Sequence, residues 1–399
     1  MRRRPFVAAM LPCGAMARAR GEAAPAAREL AAPAAADAAP TGVTRRTLRF
    51  PADHGAHPDT HIEWWYVTGW LATGVAGAAA RAPEFGFQVT FFRTRTELAE
   101  FSTSRFAARQ LVFAHVALTD LAAAARGGRG GLMHDQRAGR EGFGLVQTPG
   151  PAGRQVVQLR DWSLARTPTA AALGRPDQWR IDVHADRFAL ELELSATAPL
   201  MLQGDAGYSQ KGPDPRQASH YYSEPQLAVR GSVARTGAAM REVSGTAWLD
   251  HEWSNELLPA EAVGWDWVGF NLSDGAALMA FRLRRADGTT VWAGGSYRPA
   301  PSASGAGATQ AFAADQVRFE PLRRWTSPRT QVAYPVEWAL ATPAGRWRVV
   351  ALQDDQELDS SESTGSVYWE GVSALKTEDG RNVGYGYLEL TGYAGRLRL

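Results

Sequence analysis

The chain has 399 residues, of which 45% are hydrophobic and 21% charged, and its net charge is +2. This length favours two domains of ordinary globular composition. The near-neutral charge, without a basic block interleaved with aromatic residues, argues against nucleic acid as a partner. The single cysteine, Cys13, excludes a disulfide framework and a cysteine metal site within one chain.

The first 42 residues are typical of a leader rather than of a fold. A basic start at residues 2–4 precedes a short apolar run at residues 6–17, as in a signal peptide, and residues 3–7 resemble a twin-arginine signal. Residues 21–42 are rich in Ala and Pro, which indicates a linker or a disordered leader. We therefore expect a periplasmic or secreted protein, exported by the general secretory or the twin-arginine route. A wrongly assigned start codon or a disordered extension is the alternative.

From residue 43 onward the sequence is typical of short antiparallel strands. The runs are aromatic and β-branched, and several alternate apolar with polar residues. No run approaches the roughly 18 apolar residues of a membrane span. The strands predicted in the first half cover residues 63–70, 85–93, 110–118, 155–159, 179–185 and 188–194.

The second half has the same texture. Asp-Gly pairs at residues 274–275, 287–288 and 379–380 each separate two candidate strands, and Asp-Gly favours tight hairpin turns. Evidence for helices is confined to residues 121–126 and 254–263. The sequence thus predicts an all-β protein with two antiparallel domains, at residues 43–255 and 256–399.

Tryptophan and acidic residues are combined in three clusters, at residues 61–66, 248–253 and 264–267, which hold six of the fourteen tryptophans. Indoles favour burial, whereas carboxylates resist it unless they are paired or protonated. Alternation along a strand resolves the conflict, because successive side chains point to opposite faces. The middle cluster then places Leu249, His251 and Trp253 on one face, and its other face holds Trp248, Asp250 and Glu252.

Three histidines and three acids crowd residues 53–63. A metal site is conceivable from His57, His61 and Glu63, but their spacing matches no recognised ligand pattern. We therefore predict no metal here and no cofactor elsewhere. Instead, Glu63 is expected to be buried and paired with an arginine such as Arg93, which would stabilise the barrel.

Eight motifs follow one another at residues 53–57, 63–69, 85–93, 220–223, 245–254, 264–267, 368–371 and 386–393. Together and in this order they resemble the AttH / hydroxyneurosporene synthase family, whose members are also called carotenoid 1,2-hydratase-like. The resemblance extends from about residue 50 to the C-terminus. It implies two lipocalin-like β-barrels in tandem, a fold that encloses one apolar ligand or fills with side chains.

The resemblance also implies candidate catalytic residues. His251 and Trp253 match a His-x-Trp pair of the hydratase branch. Adding water to an alkene needs a neutral carboxyl as proton donor and an indole face beside the carbocation. Asp250 is our first candidate for the donor, with His251 as a proton relay and Trp253 as the cation stabiliser.

Two further acids, Glu252 and Asp266, remain candidates, because the hydratase pattern has a later Tyr-x-Asp pair that residues 277–282 lack. A structural alternative is that Asp250 and Glu252 accept hydrogen bonds from arginines or backbone at the domain junction. The predicted ligand-binding residues are Glu63, Trp65, Tyr222, Trp248, Trp265 and Trp267.

Three functions follow as hypotheses. The first is a hydratase-like enzyme acting on an isoprenoid or polyene. The second is a carrier of hydrophobic molecules, or an accessory of an ABC transporter that handles lipids. The third is a secreted hydrolase, which the lack of a Gly-x-Ser-x-Gly elbow weakens.

Overall fold

The computed structural model describes residues 42–74, 82–96, 101–104, 106–125, 131–142, 146–148, 155–167, 177–256, 258–303, 305 and 307–397. Apart from residue 42, the predicted leader therefore lies outside the described residues. The described part of the chain forms one compact unit built from two antiparallel sheets. None of the described helices is long and apolar enough to cross a membrane.

The first sheet contains thirteen strands in the order β4-β3-β2-β1-β13-β12-β9-β8-β7-β6-β5, with β10 and β11 paired to β12. Its longest strands, β12 and β13, pair with each other near the middle of the sheet. The strands are β1 Ile62–Thr73, β2 Phe85–Arg95, β3 Gln110–Asp120, β4 Leu132–Arg140, β5 Val146–Gln147, β6 Gln155–Leu159, β7 Trp162–Thr167, β8 Gln178–His184, β9 Phe188–Ala196, β10 Met201–Leu202, β11 Tyr208–Gln210, β12 Ala218–Arg235 and β13 Arg241–Ser254.

The second sheet contains ten strands in the order β17-β16-β15-β14-β23-β22-β20-β19-β18, with β21 paired to β22. The strands are β14 Gly264–Leu272, β15 Ala277–Arg284, β16 Thr290–Arg298, β17 Gln310–Phe312, β18 Arg318–Thr326, β19 Ala333–Thr342, β20 Gly345–Ala351, β21 Glu357–Ser360, β22 Ser366–Thr377 and β23 Asn382–Leu390. The helices described are short: α1 at Leu121–Ala125 and 3₁₀ turns at Ala52–His54 and Ala314–Gln316.

Each sheet buries one face in a hydrophobic core of its own. The first core includes Trp65, Phe87 and Leu249, and the second includes Phe270 and Trp338. A third apolar cluster joins the sheets through their other faces. It combines Tyr66, Tyr221 and Trp248 of the first sheet with Trp267, Met279, Val372 and Tyr387 of the second. Strands buried on both faces explain why segments such as residues 63–70 are almost wholly apolar.

The predicted all-β fold of antiparallel strands is confirmed, as are the strands of the first half. The three Asp-Gly pairs lie between consecutive or paired strands, and Gly275, Gly288 and Gly380 adopt positive φ as tight turns require. The chain passes from the first sheet to the second between β13 and β14. Independent folding of the two predicted domains stays a prediction.

The predicted helix at residues 254–263 is wrong. Ser254 ends β13, and the described residues after it form turns before β14 begins at Gly264. Pro259 lacks the backbone N–H that a helix interior needs, and Ala262 N donates to Pro259 O in a single turn. The short helix predicted at residues 121–126 is confirmed as α1, except that residue 126 lies outside the described residues.

Gly86 in β2 allows the two sheets to approach each other. A Cβ atom at this position would lie 2.7 Å from Val372 Cβ and 2.8 Å from the Tyr387 hydroxyl oxygen, both in the second sheet. We expect Gly86→Ala to lower the free energy of unfolding by about 1–3 kcal/mol, because overpacking a tight contact forces the neighbours to shift. Urea unfolding measures the effect. The exposed strand substitution Thr290→Ala is the control, and an equal, negligible change in both variants would contradict the tight packing described here.

Candidate functional site

Strand β13 separates two polar groups of residues. As predicted from alternation, Trp248, Asp250 and Glu252 face the second sheet, whereas His251 and Trp253 face the first core or its polar border. Pairing with β1 places Tyr66 opposite Asp250 and Trp64 opposite Glu252. Both groups are buried, so each ionisable side chain needs a counterion or must be neutral, and each polar atom needs a hydrogen-bond partner.

A cavity of about 90 Å³ lies between the two sheets. Its walls are mainly aromatic, and a group of carboxyl side chains enters it. One water needs roughly 10–15 Å³, so the cavity holds several waters or a small organic group. The aromatic walls include Trp64, Tyr66, Tyr221, Trp265, Trp267 and Phe281. The carboxyl groups belong to Asp250, Glu252, Glu256, Glu370 and Glu389.

Asp250 is held by three donors. Its Oδ1 accepts from Trp248 Nε1 at 2.7 Å and from the Ser223 hydroxyl, and its Oδ2 accepts from the Tyr221 hydroxyl at 2.7 Å. Burial raises the pKa of Asp250 to about 7, although these hydrogen bonds oppose the rise. Oδ1 is saturated, so the proton of the neutral acid belongs on the remaining lone pair of Oδ2.

Glu252 has a different environment. Lys211 Nζ lies 2.9 Å from Glu252 Oε1, and the Ser219 hydroxyl donates to the same oxygen. The Lys211 ammonium also lies over the Phe281 ring, 4.3 Å from its centroid. Glu252 and Lys211 therefore bring an ion pair to the cavity, whereas Asp250 brings a carboxyl that is neutral up to about pH 7.

Glu370 in β22 and Glu389 in β23 are direct cross-strand partners. Burial and the neighbouring carboxyl of Glu389 raise the pKa of Glu370 well above its usual range, and burial raises the pKa of Glu389 to about 7. Like charges directly opposite each other on a sheet repel, so the pair retains at least one proton. The Tyr66 hydroxyl and Glu370 Oε1 are both buried and make no hydrogen bond to any described atom.

On the opposite face of β13, Glu63 is the centre of a hydrogen-bonded network. His57 Nδ1 and His251 Nε2 each lie 2.8 Å from Glu63 Oε1, and Arg93 Nε donates to Oε2 at 2.9 Å. Burial opposes ionisation of Glu63, but its hydrogen bonds with the two histidines outweigh burial and hold its pKa well below the usual range. The predicted pairing of Glu63 with Arg93 is confirmed.

The network extends to further aromatic and imidazole rings. His57 stacks on Trp253 with ring centroids 3.7 Å apart, and its Nε2 lies 3.1 Å from Asp53 Oδ1. His251 Nδ1 lies 3.2 Å from the Tyr222 hydroxyl, which in turn lies 2.7 Å from a third histidine, His54. Through these stacking contacts and hydrogen bonds, the network joins β13 to the loop before β1.

His57, Glu63 and His251 are close enough to hold a metal ion, since one donor atom from each lies within 4.8 Å of the others. The members differ from the conceivable set in the sequence, because His251 takes the place of His61. The residues fit a metal poorly. Both Glu63 oxygens already accept hydrogen bonds, and the buried Arg93 guanidinium on the same carboxylate would repel a cation.

Asp266 lies away from the cavity. Its carboxylate pairs with Arg282 at 2.6 Å and with Arg284 at 3.3 Å, and it accepts from the Tyr393 hydroxyl at 2.9 Å. Asp266 and Trp267 are successive residues of β14 and point to opposite faces. This pairing resembles a structural ion pair at the border of the second core rather than an acid available to a ligand.

The structure thus divides the predicted site residues. Asp250, Glu252, Trp265 and Trp267 line the cavity. Trp248 does not line it, but its Nε1–H donates a hydrogen bond to Asp250. The others point to the remaining faces of the sheets, where they belong to the network or the cores: Glu63, Trp65, Tyr222, His251, Trp253 and Asp266. Catalytic or binding roles for these six stay predictions, but the structure does not bring them to the cavity.

Glu370 and Glu389 were missed as site residues, although both lie in motifs that carried the family resemblance. The signal was present in each: an acid next to Trp369 in one strand, and two residues from Tyr387 in the other. The Asp379-Gly380 turn predicted that these two strands pair, but no pattern in the sequence indicated that they face β13.

A serine and a histidine also meet between the sheets. Ser363 Oγ lies 2.9 Å from His115 Nε2, and His115 Nδ1 lies 2.9 Å from the Tyr368 hydroxyl. Burial lowers the pKa of His115 to about 3. A hydrolytic triad needs a carboxylate on the second imidazole nitrogen, whereas a tyrosine hydroxyl occupies that place here, so the contact is a poor nucleophile–base pair.

The fold and the cavity define an all-β protein whose two sheets enclose an acidic, aromatic site. A model of the AttH-like family matches residues 41–393, and the chain belongs to this family. It is 46% identical to a solved structure described as a putative AttH from Nitrosomonas europaea, with a TM-score of 0.75, and the match covers 89% of this chain and 99% of that one.

A more distant structural neighbour is kievitone hydratase from Nectria haematococca. It is 15% identical with a TM-score of 0.58, and the match covers 89% of this chain and 98% of that one. At this identity the likeness concerns the fold alone. A search of curated protein sequences finds no match.

The Glu63 network generates a stability prediction. We expect Glu63→Gln to lower the free energy of unfolding at pH 7 by about 3–5 kcal/mol, because it leaves the buried Arg93 without its counterion. The wild-type contribution is complete above the unfolded carboxyl pKa of about 4.3 and is lost as the pH falls below it. Urea unfolding between pH 3 and pH 7 should therefore show a shallower pH dependence in the variant.

The matched control is Glu378→Gln, whose partner Arg346 and whose own side chain are both largely exposed. This change should alter stability by less than about 0.5 kcal/mol. If the two variants were equally stable, Glu63 would not be the centre of the network.

Proposed function

We propose that the protein catalyses the addition of water to a carbon–carbon double bond, or the reverse elimination, in the cavity between the sheets. The observation that carries the proposal is a neutral carboxyl group, Asp250, buried among indole rings. Such a carboxyl can protonate an alkene, and an indole face stabilises the resulting carbocation by about 2 kcal/mol or more when water is excluded. The likeness to kievitone hydratase contributes the fold only, so the proposal depends on the cavity.

The chemistry balances within the site. The proton of Asp250 forms the new C–H bond, and the π electrons leave a tertiary cation facing Trp265 and Trp267. A water oxygen then forms the C–O bond, and a proton of that water returns to the Asp250 carboxylate. The Glu252–Lys211 ion pair has no net charge, so the Asp250 carboxylate formed by the proton transfer is the negative charge beside the cation. The overall reaction consumes one water and needs no redox partner.

The size of the cavity restricts how a ligand binds. A volume of about 90 Å³ suits a short unsaturated group, and a long polyene would enter only with its end. Both cores are filled by buried side chains. This arrangement favours an enzyme acting on one double bond over a carrier that encloses a whole lipid. The alternative hypothesis is that the protein carries hydrophobic molecules or is an accessory of an ABC transporter. Ligand binding without turnover would support this alternative.

Asp250→Asn tests the catalytic proposal. We expect it to reduce turnover at least ~100-fold, in the range for loss of a general acid, while ligand affinity changes little. The assay incubates acyclic isoprenoid alkenes in H₂¹⁸O and follows labelled alcohols by mass spectrometry. The exposed Asp287→Asn serves as the matched control.

The pH dependence gives a second readout in the same assay. Asp250 must carry its proton to act, so wild-type activity should fall as the pH rises through about 7. Hydration by the Asn variant at the wild-type rate would remove Asp250 from the mechanism. Binding of the alkenes without labelled product in either protein would favour the carrier.

We also propose export to the periplasm or medium, on the strength of residues 1–42 of the sequence. Expression with a C-terminal tag, followed by fractionation and N-terminal sequencing, should give a shortened protein outside the cytoplasm. A protein that stays in the cytoplasm and begins at Met1 would be inconsistent with this proposal.

A further inference from the structure

The polar side chains of the cavity differ in how many hydrogen-bond partners they have. Asp250 has three donors, and Glu252 has Lys211 and Ser219. By contrast, the Tyr66 hydroxyl and Glu370 Oε1 have no hydrogen-bond partner of normal geometry among the described atoms, although both side chains are buried. Buried polar groups are almost always paired, with protein, water or ligand, so these two groups are suited to receive a polar atom.

The two unpaired groups come from different sheets and meet at the cavity. Tyr66 belongs to β1 and Glu370 to β22, and both side chains line the cavity wall. The two groups lie side by side, and a contact between them shifts both pKa values, yet it falls short of the geometry of a normal hydrogen bond. A ligand oxygen beside them would give each group a well-formed hydrogen bond, whereas a hydrocarbon would leave them with only this poor mutual contact.

The charge of the cavity indicates what kind of polar atom fits. An anionic group would face the carboxyl side chains of Asp250, Glu252, Glu370 and Glu389, with Lys211 already paired. A hydroxyl or carbonyl oxygen carries no charge. A neutral carboxyl and a phenol can each donate and accept, so together they suit such an oxygen.

We infer that the ligand is an uncharged unsaturated molecule that carries a hydroxyl or carbonyl oxygen, and that this oxygen binds between Tyr66 and Glu370. The inference rests on the proposed function for the location of the site, but it concerns recognition rather than catalysis. It replaces a pure hydrocarbon as the expected ligand class. The rest of the ligand lies against the aromatic walls, with its double bond towards Asp250.

Binding of four probes with one carbon framework tests the inference. These are myrcene (a hydrocarbon), geraniol (a hydroxyl), citral (a carbonyl) and geranylamine (a cation), titrated against the full chain by calorimetry. We expect geraniol or citral to bind at least ~10-fold more tightly than myrcene and geranylamine. Tyr66→Phe removes only the hydroxyl and should cut this preference by about 5- to 20-fold, leaving myrcene affinity unchanged.

The matched control is Tyr368→Phe. Tyr368 also lines the cavity, but its hydroxyl is already paired with His115, so its loss should not alter the preference among probes. If Tyr66→Phe fails to fold, Glu370→Leu replaces the second unpaired group with an apolar side chain of similar size and should abolish the same preference. Thermal melting confirms that each variant is folded.

Several outcomes would overturn the inference. These are equal binding of myrcene and geraniol, tightest binding of geranylamine, a Tyr368→Phe effect equal to that of Tyr66→Phe, or no binding of any probe up to its solubility limit. Retained oxygen preference without any turnover would leave the inference standing and defeat only the proposed hydratase activity.

Discussion

The cost of burying a carboxyl group governs the middle of this molecule. Water stabilises a carboxylate strongly, and the space between two packed sheets cannot replace that water unless it provides a cation or several donors. The protein uses both solutions available. Glu63 pairs with the buried Arg93 and Asp266 with Arg282 and Arg284, whereas burial raises the pKa values of Asp250, Glu370 and Glu389.

These two solutions occupy different strands: the ion-paired acids lie on β1 and β14, and the acids with raised pKa lie on β13, β22 and β23. On β1 the side chain of Glu63 points to the polar network, and that of Tyr66, three residues later, points to the cavity. On β14 Asp266 pairs with arginines, and Trp267 faces the cavity. Ion pairs therefore hold strands whose opposite faces supply aromatic rings to the cavity wall. A site of neutral acids needs rigid support, because a shift that admitted water would lower their pKa values and remove the proton donor.

The strands and their faces could be predicted from sequence because they follow from local rules. Alternation placed Asp250 and His251 on opposite sides of β13, and the isolated acid in residues 63–70 predicted a buried pair with an arginine. The same local rules failed at residues 254–263, where a proline and the approach to the second sheet produced turns. The grouping of His251 and Trp253 with Asp250 came from the family resemblance, although alternation had already placed them on the opposite face of the strand.

The sequence by itself determined the family, the all-β class and which side chains share a strand face, since these depend on residue order and on a period of two. Only the tertiary structure decided that the aromatic cavity lies between the sheets, that Glu370 and Glu389 enter it, and that Asp266 and His251 do not. Those facts depend on contacts between strands more than a hundred residues apart, such as β1 with β13 and β13 with the face of β22 and β23. The packing of the two sheets decides which carboxyl groups are buried away from water, and no local sequence pattern encodes that packing.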